Sequence, residues 1–149
     1  MDKNSFLVEL SESDKTQFGK IDFNEQSKPQ QVFSTIWELE SEVNNGGFSQ
    51  YFFNSSRETA HFVVEALETI QAPLMADICS RAIRTGFPEG LPADSDQIQA
   101  VASDFSDETS SALGTLDQEF YEYPNNLTEL LFAYVQQHPE EFGNVPEVN

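Results

Sequence analysis

Apolar residues recur at helical spacing along most of this chain, and no comparable run alternates between apolar and polar positions. Spacing of i, i+3, i+4 and i+7 puts side chains on one face of an α-helix, whereas a half-buried strand requires alternation. The pattern therefore predicts an all-α fold, a single compact multi-helix domain of about six to eight helices. The six stripes are Val32, Phe33, Ile36, Leu39 and Val43; Ala60, Val63, Val64, Leu67 and Ile70; Leu74, Met75, Ile78, Cys79, Ala82 and Ile83; Ile98, Val101, Ala102 and Phe105; Ala112, Leu113, Leu116 and Phe120; and Leu127, Leu130, Leu131, Tyr134 and Val135.

The predicted domain covers residues 1–149, a length that fits one hydrophobic core. The helical pattern is weakest over residues 1–26 and 143–149, so the domain is defined best between them. No run approaches the ~20 consecutive apolar residues of a membrane span, and the N-terminus lacks a basic leader. The single cysteine cannot form an internal disulfide. We therefore expect a cytoplasmic protein.

Proline, glycine and capping residues predict where the helices begin and end. Pro29 suits the first turn of a helix, and the sequence Asn-Asn-Gly-Gly at residues 44–47 predicts its end, because glycine readily adopts the left-handed conformation. The aromatic residues 48–53 then form a short separate segment. Ser55, followed three residues later by Glu58, predicts a capping box that opens the next helix.

The charge of the chain is strongly negative and unevenly distributed. Twenty-six acids against seven bases give a net charge of −19 and a pI near 4.1. Every lysine and arginine lies at or before Arg84, and half of the acids lie after it. Nucleic acids and anionic membranes are bound through clustered Lys and Arg, so the sequence predicts that this chain binds neither directly. It predicts a basic protein partner instead.

Few side chains are suited to catalysis or to metal binding. The histidines are His61 and His138, and the lone thiol, Cys79, falls inside an apolar stripe, where a small buried hydrophobe is expected. His61 and Glu65, four residues apart, would offer two metal ligands from one helical face, but a zinc site needs three or four. We therefore expect no cofactor, no metal and no enzymatic activity, with a metal-dependent enzyme as an alternative.

Glu40 is unusual because its helical angle puts it within the apolar stripe of the first predicted helix. A buried carboxylate must be paired or hydrogen-bonded. Arg81, Arg84 or a tyrosine hydroxyl are the partners that the sequence offers.

The acids are placed as though they have a binding role. Solubilising surfaces interleave both signs, whereas Glu38 with Glu42 and Glu65 with Glu68 are like-charged helical neighbours, each pair destabilising a helix by ~0.2–0.5 kcal/mol. Solubility alone and adaptation to high salt are the alternatives to partner binding. The candidate partner-binding residues are Glu38, Glu42, Glu58, Glu65, Glu68, Asp94, Asp96, Asp104, Asp107, Glu108, Asp117, Glu119 and Glu122.

The segment Glu-Val-Asn-Asn-Gly-Gly-Phe-Ser-Gln-Tyr-Phe-Phe-Asn, residues 42–54, closely resembles the signature of a known family. This is the bacterial acidic DNA-mimic protein family of the Neisseria type, otherwise a domain of unknown function. The resemblance covers about residues 29–135. It implies an all-α fold, a homodimer, and binding of a transcription factor through surface acids that imitate DNA phosphates.

Charge and resemblance together predict a DNA mimic that acts as an inhibitor in transcription regulation. Its partner would be a basic DNA-binding protein, either a transcription factor or a nucleoid-type protein, and its acids would occupy the groove that DNA otherwise fills. An immunity protein against a basic nuclease toxin is the second hypothesis, because it would use the same electrostatics. The third is the enzyme that uses His61 and Glu65.

Overall fold

A 26-residue helix, α2 (Lys28–Phe53), organises the structure. In the computed structural model, which describes residues 2–17 and 20–143, α2 packs against α3, α5, α6, α7 and α8. The described part of the chain contains eight α-helices and no strand, so the predicted all-α fold is confirmed. The remaining elements are α1 (Lys3–Ser11), α3 (Val63–Thr69), α4 (Pro73–Gly86), α5 (Ser95–Ser103), α6 (Asp107–Tyr121), α7 (Leu127–Gln136), α8 (Pro139–Phe142) and two 3-10 helices, Phe23–Glu25 and Ser55–Thr59.

The start of α2 is fixed by local hydrogen bonds. Ser27 caps the helix, and its side chain and that of Gln30 bond each other's backbone N–H groups in a capping box, with Pro29 in the first turn. The predicted stop at residues 44–47 is wrong in part. Gly46 and Gly47 bend the helix, but it resumes because Phe48, Tyr51 and Phe52 give the second half a buried apolar face.

Two further details of the sequence prediction are corrected. Ser55 and Glu58 form no capping box, because residues 55–59 form a 3-10 helix without a side-chain cap and α3 begins only at Val63. Leu74 and Val101, both assigned to apolar stripes, are exposed by 53% and 39%. Leu74 lies in the first turn of α4 and Val101 near the end of α5, and the buried face of each helix is narrower there than the sequence spacing indicates.

One hydrophobic core runs through the described residues, from Leu7 in α1 to Phe142 in α8. Aromatic pairs link distant elements: Phe48 in α2 meets Phe120 in α6 edge to face at 5.9 Å, and Phe6 in α1 meets Phe132 in α7 at 5.9 Å. None of the helices within residues 2–17 and 20–143 is long and apolar enough to cross a membrane.

Candidate functional site

The signature segment forms a kink in α2 that α6 holds in place. Gly47 has φ 77° and ψ −178°, a conformation that only glycine adopts readily. Beyond it, the Phe48 N–H donates to the Asp117 carboxylate at 2.8 Å, and the Tyr121 hydroxyl donates to the Val43 carbonyl at 2.8 Å. Asp117 and Tyr121 lie one turn apart on α6, so a single helix face supplies both partners. We call these contacts the kink clamp.

Glu42 ties the two halves of α2 together across the kink. Its carboxylate accepts from Gln50 Nε2 at 2.6 Å and from Asn54 Nδ2 at 3.0 Å. Three polar side chains of the signature, Glu42, Gln50 and Asn54, are therefore bound to one another across the kink.

Glu40 is paired with a tyrosine hydroxyl, one of the partners that the sequence offered. Asn44 Nδ2 donates to the Tyr123 hydroxyl at 2.8 Å, and that hydroxyl donates to Glu40 Oε1 at 3.0 Å. Burial raises the pKa of Glu40, and the hydrogen bond from Tyr123 opposes that rise. Burial also raises the pKa of Tyr123 to about 12, so the phenol remains a donor at neutral pH.

Four of the thirteen candidate acids are wholly or partly withdrawn from the surface. Glu42 and Asp117 serve the kink, while Glu119 accepts two hydrogen bonds from Arg81, at 2.8 and 3.0 Å, which lower its pKa. Glu38 is half-buried, and burial, together with the nearby Glu42 carboxylate, raises its pKa to about 7. These side chains hold the fold or lose their charge easily.

The other nine candidates are exposed, and six of them surround α5. Asp104 ends that helix, and Asp94 caps its start by accepting from the Asp96 N–H at 2.8 Å. We define the α5 acidic surface as these six residues: Glu58, Asp94, Asp96, Asp104, Asp107 and Glu108. Glu65 and Glu68 lie on α3 and Glu122 at the end of α6, so the structure distributes the nine over several helices.

Little positive charge neutralises this surface. Arg57 lies 3.7 Å from Asp96, but its Nε and Nη1 donate to the carbonyls of Ser95 and Phe53. Lys28 and Glu65, both well exposed, lie 3.7 Å apart. An exposed pair such as Lys28 and Glu65 contributes roughly 0–1 kcal/mol. The Arg57 side chain is only 13% exposed, whereas its partner Asp96 is 89% exposed.

The metal-binding hypothesis loses its geometric basis. His61 precedes α3, so it does not share a helical face with Glu65, and its Nε2 forms a hydrogen bond with the Pro92 carbonyl at 2.7 Å. Across residues 2–17 and 20–143, no group of three or more His, Cys, Asp or Glu side chains is arranged to hold a metal ion. Cys79 is buried, as predicted, and burial raises the pKa of its thiol.

His138 has the structural role expected at the end of the last stripe. Its Nδ1 lies 2.8 Å from the Tyr134 carbonyl, and its ring packs on that of Tyr134 with centroids 4.3 Å apart. The contact completes the C-terminal end of α7.

The residues of the kink clamp lie within the part of the chain that matches a protein-family model. The family model described as DMP19-like protein matches residues 24–138, which contain the signature, α6 and all thirteen candidate acids. The chain belongs to the DMP19-like protein family. Searches of curated proteins and of solved structures gave no match. Membership in this DNA-mimic family confirms the resemblance at the level of the family.

Sequence reasoning missed two groupings that the structure brings together. The partners of the kink, Asp117 and Tyr121, are 69 and 78 residues away from Phe48 and Val43, and no local pattern connects them. A cleft beside Glu40 was also missed. Its one sequence signal was an acid within an apolar stripe.

Proposed function

We propose that this protein is an acidic DNA mimic that binds the basic DNA-binding surface of another protein and blocks DNA binding there. The observation that carries the proposal is the α5 acidic surface, six exposed carboxylates of which Asp96 is paired with Arg57 at 3.7 Å. Membership in the DMP19-like family supports the same function. The protein would act as a cytoplasmic, non-enzymatic inhibitor, and a homodimer would present two such surfaces.

The spacing of the α5 acidic surface suits a groove-reading partner. Glu58, Asp94 and Asp96 lie at one end of α5, and Asp104, Asp107 and Glu108 lie at the other. Nine helical residues rise about 14 Å, close to the roughly 12 Å width of the DNA major groove that phosphates border. Basic side chains that contact the phosphates on the two edges of the groove would meet carboxylates at the two ends of α5.

Helix stability explains only some of the acids near α5. Asp94, Asp96, Asp107 and Glu108 lie at the N-terminal ends of α5 and α6, where the helix dipole favours negative charge. Asp104 and Glu122 follow the C-terminal ends of α5 and α6, where the helix dipole disfavours negative charge, and neither helix has a base in its last turn. Acids in such positions work against the helices that carry them. A binding role accounts for acids at both ends of α5.

The test begins with affinity capture from the source cell at low salt, with mass spectrometry of the bound protein. Our proposal expects a basic DNA-binding protein from which duplex DNA and this chain exclude each other in a gel-shift competition. Binding should weaken steeply as salt rises. A ternary complex with DNA would contradict mimicry, and capture of a basic nuclease would favour the immunity-protein hypothesis.

Two amide variants with equal net charge test whether partner binding depends on the α5 acidic surface or on net charge alone. The first changes Glu58→Gln, Asp104→Asn, Asp107→Asn and Glu108→Gln; the second, a control, changes Glu9→Gln, Glu12→Gln, Asp14→Asn and Glu25→Gln. All eight acids are exposed, and each variant takes the net charge from −19 to −15 by removing four negative charges. The first should bind the captured partner at least about tenfold more weakly, a loss of ~1.4 kcal/mol. Equal weakening by both variants would leave net charge as the sole determinant.

A further inference from the structure

A polar cleft of about 330 Å³ lies between α1, α2 and the start of α7, apart from the α5 acidic surface. It lies beside the segment that joins α6 to α7, which carries Tyr123. The side chains that matter to its chemistry are Trp37, Glu40, Ser41, Asn44, Tyr123 and Thr128.

The hydrogen bonds around the cleft leave it rich in acceptors. The Tyr123 hydroxyl donates to Glu40 and accepts from the Asn44 amide, and the Asn44 carbonyl oxygen forms no hydrogen bond with another described residue. Glu40 keeps its second oxygen, and the hydroxyls of Ser41 and Thr128 have no side-chain hydrogen bond to another described residue. The cleft therefore offers several oxygen acceptors around one carboxylate.

No cation of the described chain occupies this carboxylate. The ion pairs formed within residues 2–17 and 20–143 involve Glu129, Glu65, Asp96, Asp77 and Glu119, and none includes Glu40. A half-buried carboxylate with a single hydrogen-bonded oxygen is incompletely compensated, so a cation with several N–H donors would complete it.

The indole ring of Trp37 also lines the cleft, and a contact with Phe33 holds it in place. It stacks on Phe33 with ring centroids 5.8 Å apart and planes at 9°. A tryptophan ring attracts cations, and it attracts a planar guanidinium best because that group can stack as well as donate.

We propose that this cleft binds the guanidinium group of an arginine side chain. Our assignment of that arginine to the DNA-binding surface of the partner rests on the proposed function. Guanidinium fits better than ammonium because its planar fork can bond the Glu40 carboxylate and the Asn44 and Ser41 oxygens while lying against Trp37. A lysine ammonium is compact, more strongly hydrated and unable to stack.

The first test uses small ligands and the wild-type protein. Trp37 is the only tryptophan in the chain, so its fluorescence and its indole N–H signal in NMR report on this cleft alone. The titrants are N-acetyl-arginine amide, N-acetyl-lysine amide and N-acetyl-citrulline amide at constant ionic strength. We expect saturable binding of arginine, at least about fivefold weaker binding of lysine, and no saturable change with citrulline, which keeps the shape but lacks the charge. No saturation with arginine, or equal curves for arginine and citrulline, would overturn the assignment.

The second test uses Glu40→Gln with Glu38→Gln as a matched control from the same helix that does not line the cleft. Glu40→Gln keeps an acceptor for Tyr123 and should weaken arginine binding by about tenfold, whereas the control should bind as wild type does. An unchanged arginine titration of folded Glu40→Gln protein would refute the role of Glu40. If that variant does not fold, the comparison of arginine with citrulline decides.

The source of the arginine is tested with the captured partner. If the partner supplies it, Glu40→Gln should weaken partner binding by at least about fivefold, and equal binding would overturn that assignment. The small-ligand titration involves neither DNA nor partner. Arginine binding would therefore stand even if the α5 variant bound the partner normally and the proposed DNA mimicry failed.

Discussion

Replacing Gly47 with alanine should destabilise the fold by about 3 kcal/mol, because two separate effects act at this position. First, φ 77° with ψ −178° belongs to a region that is nearly exclusive to glycine, and a side chain there costs about 1–3 kcal/mol. Second, an added Cβ would overlap the Asp117 carboxylate, lying 2.9 Å from its carbon. Displacing that carboxylate leaves the buried Phe48 N–H without its acceptor, which costs a further 1–3 kcal/mol or so.

Two other glycines separate these effects. Gly90 has φ 103° with nothing within 4 Å of an added Cβ, so Gly90→Ala should cost only the backbone strain of about 1 kcal/mol. Gly114 lies inside α6 with equally open space, and Gly114→Ala should stabilise by roughly 0.5–1 kcal/mol because alanine favours helix. The three variants should therefore rank in the order Gly114, Gly90 and Gly47, from most to least stable.

Urea unfolding followed by circular dichroism at a fixed pH measures the free energy of unfolding of each variant, and the m-values test whether unfolding remains two-state. A double-mutant cycle with Asp117→Ala isolates the overlap. Gly47→Ala should cost about 1–2 kcal/mol less in the Asp117→Ala background, where no carboxylate blocks the new methyl group. If Gly47→Ala costs no more than Gly90→Ala, or if its cost is the same in both backgrounds, the kink clamp does not work as described.

Three further predictions concern buried groups. The pKa of Glu38 is about 7 in the fold, against an ordinary value of 4.5, so its protonation stabilises the fold at low pH and this contribution is lost as the pH rises from about 4.5 through 7. Glu38→Gln should therefore raise the free energy of unfolding at pH 8 by about 1 kcal/mol and leave it unchanged at pH 4. Urea titrations at the two pH values measure the difference, with exposed Glu58→Gln as the control. The Thr35 hydroxyl is fully buried and has no hydrogen-bond partner among the described residues, so Thr35→Val should raise the melting temperature, whereas a drop would show that the hydroxyl is satisfied. Cys79 should react with a thiol reagent only after unfolding, and fast labelling of the native protein would contradict its burial.

Helical periodicity predicted the all-α fold because each apolar stripe is a local property of the chain. It was wrong about the boundary at residues 44–47, because contacts of the following segment decide whether the helix ends there. The Gly46-Gly47 pair does force a non-helical conformation, as its sequence indicates, but whether the chain then stops or continues depends on Phe48 and Tyr51 being buried against other helices. That burial is tertiary. The same limit explains the missing capping box at Ser55.

The sequence predicted that the candidate site consists of acidic residues, but not which of these residues form an exposed surface. The sequence shows which residues are acidic, whereas the division into exposed and internally bonded acids depends on contacts across the fold. Asp117 and Asp107 look alike in the sequence of α6, yet one accepts from Phe48 and the other faces solvent. The cleft at Glu40 needs Trp37 from the same helix and Tyr123 from a distant loop, a combination that no spacing rule reveals.

The two groups of acids connect the family signature to the proposed mimicry. Acids of the first group, Glu42 and Asp117, fix the kink and so lock α6 against α2. Those of the second group, including Asp107 and Glu108 in the first turn of α6, have no such task and take their position from that lock. The contacts of the signature thus fix the position of α6, which carries part of the α5 acidic surface. The signature residues themselves do not belong to that surface. A family member that kept residues like Gly47 and Asp117 but lacked the exposed acids around α5 should therefore share the fold and lose the DNA-competing activity.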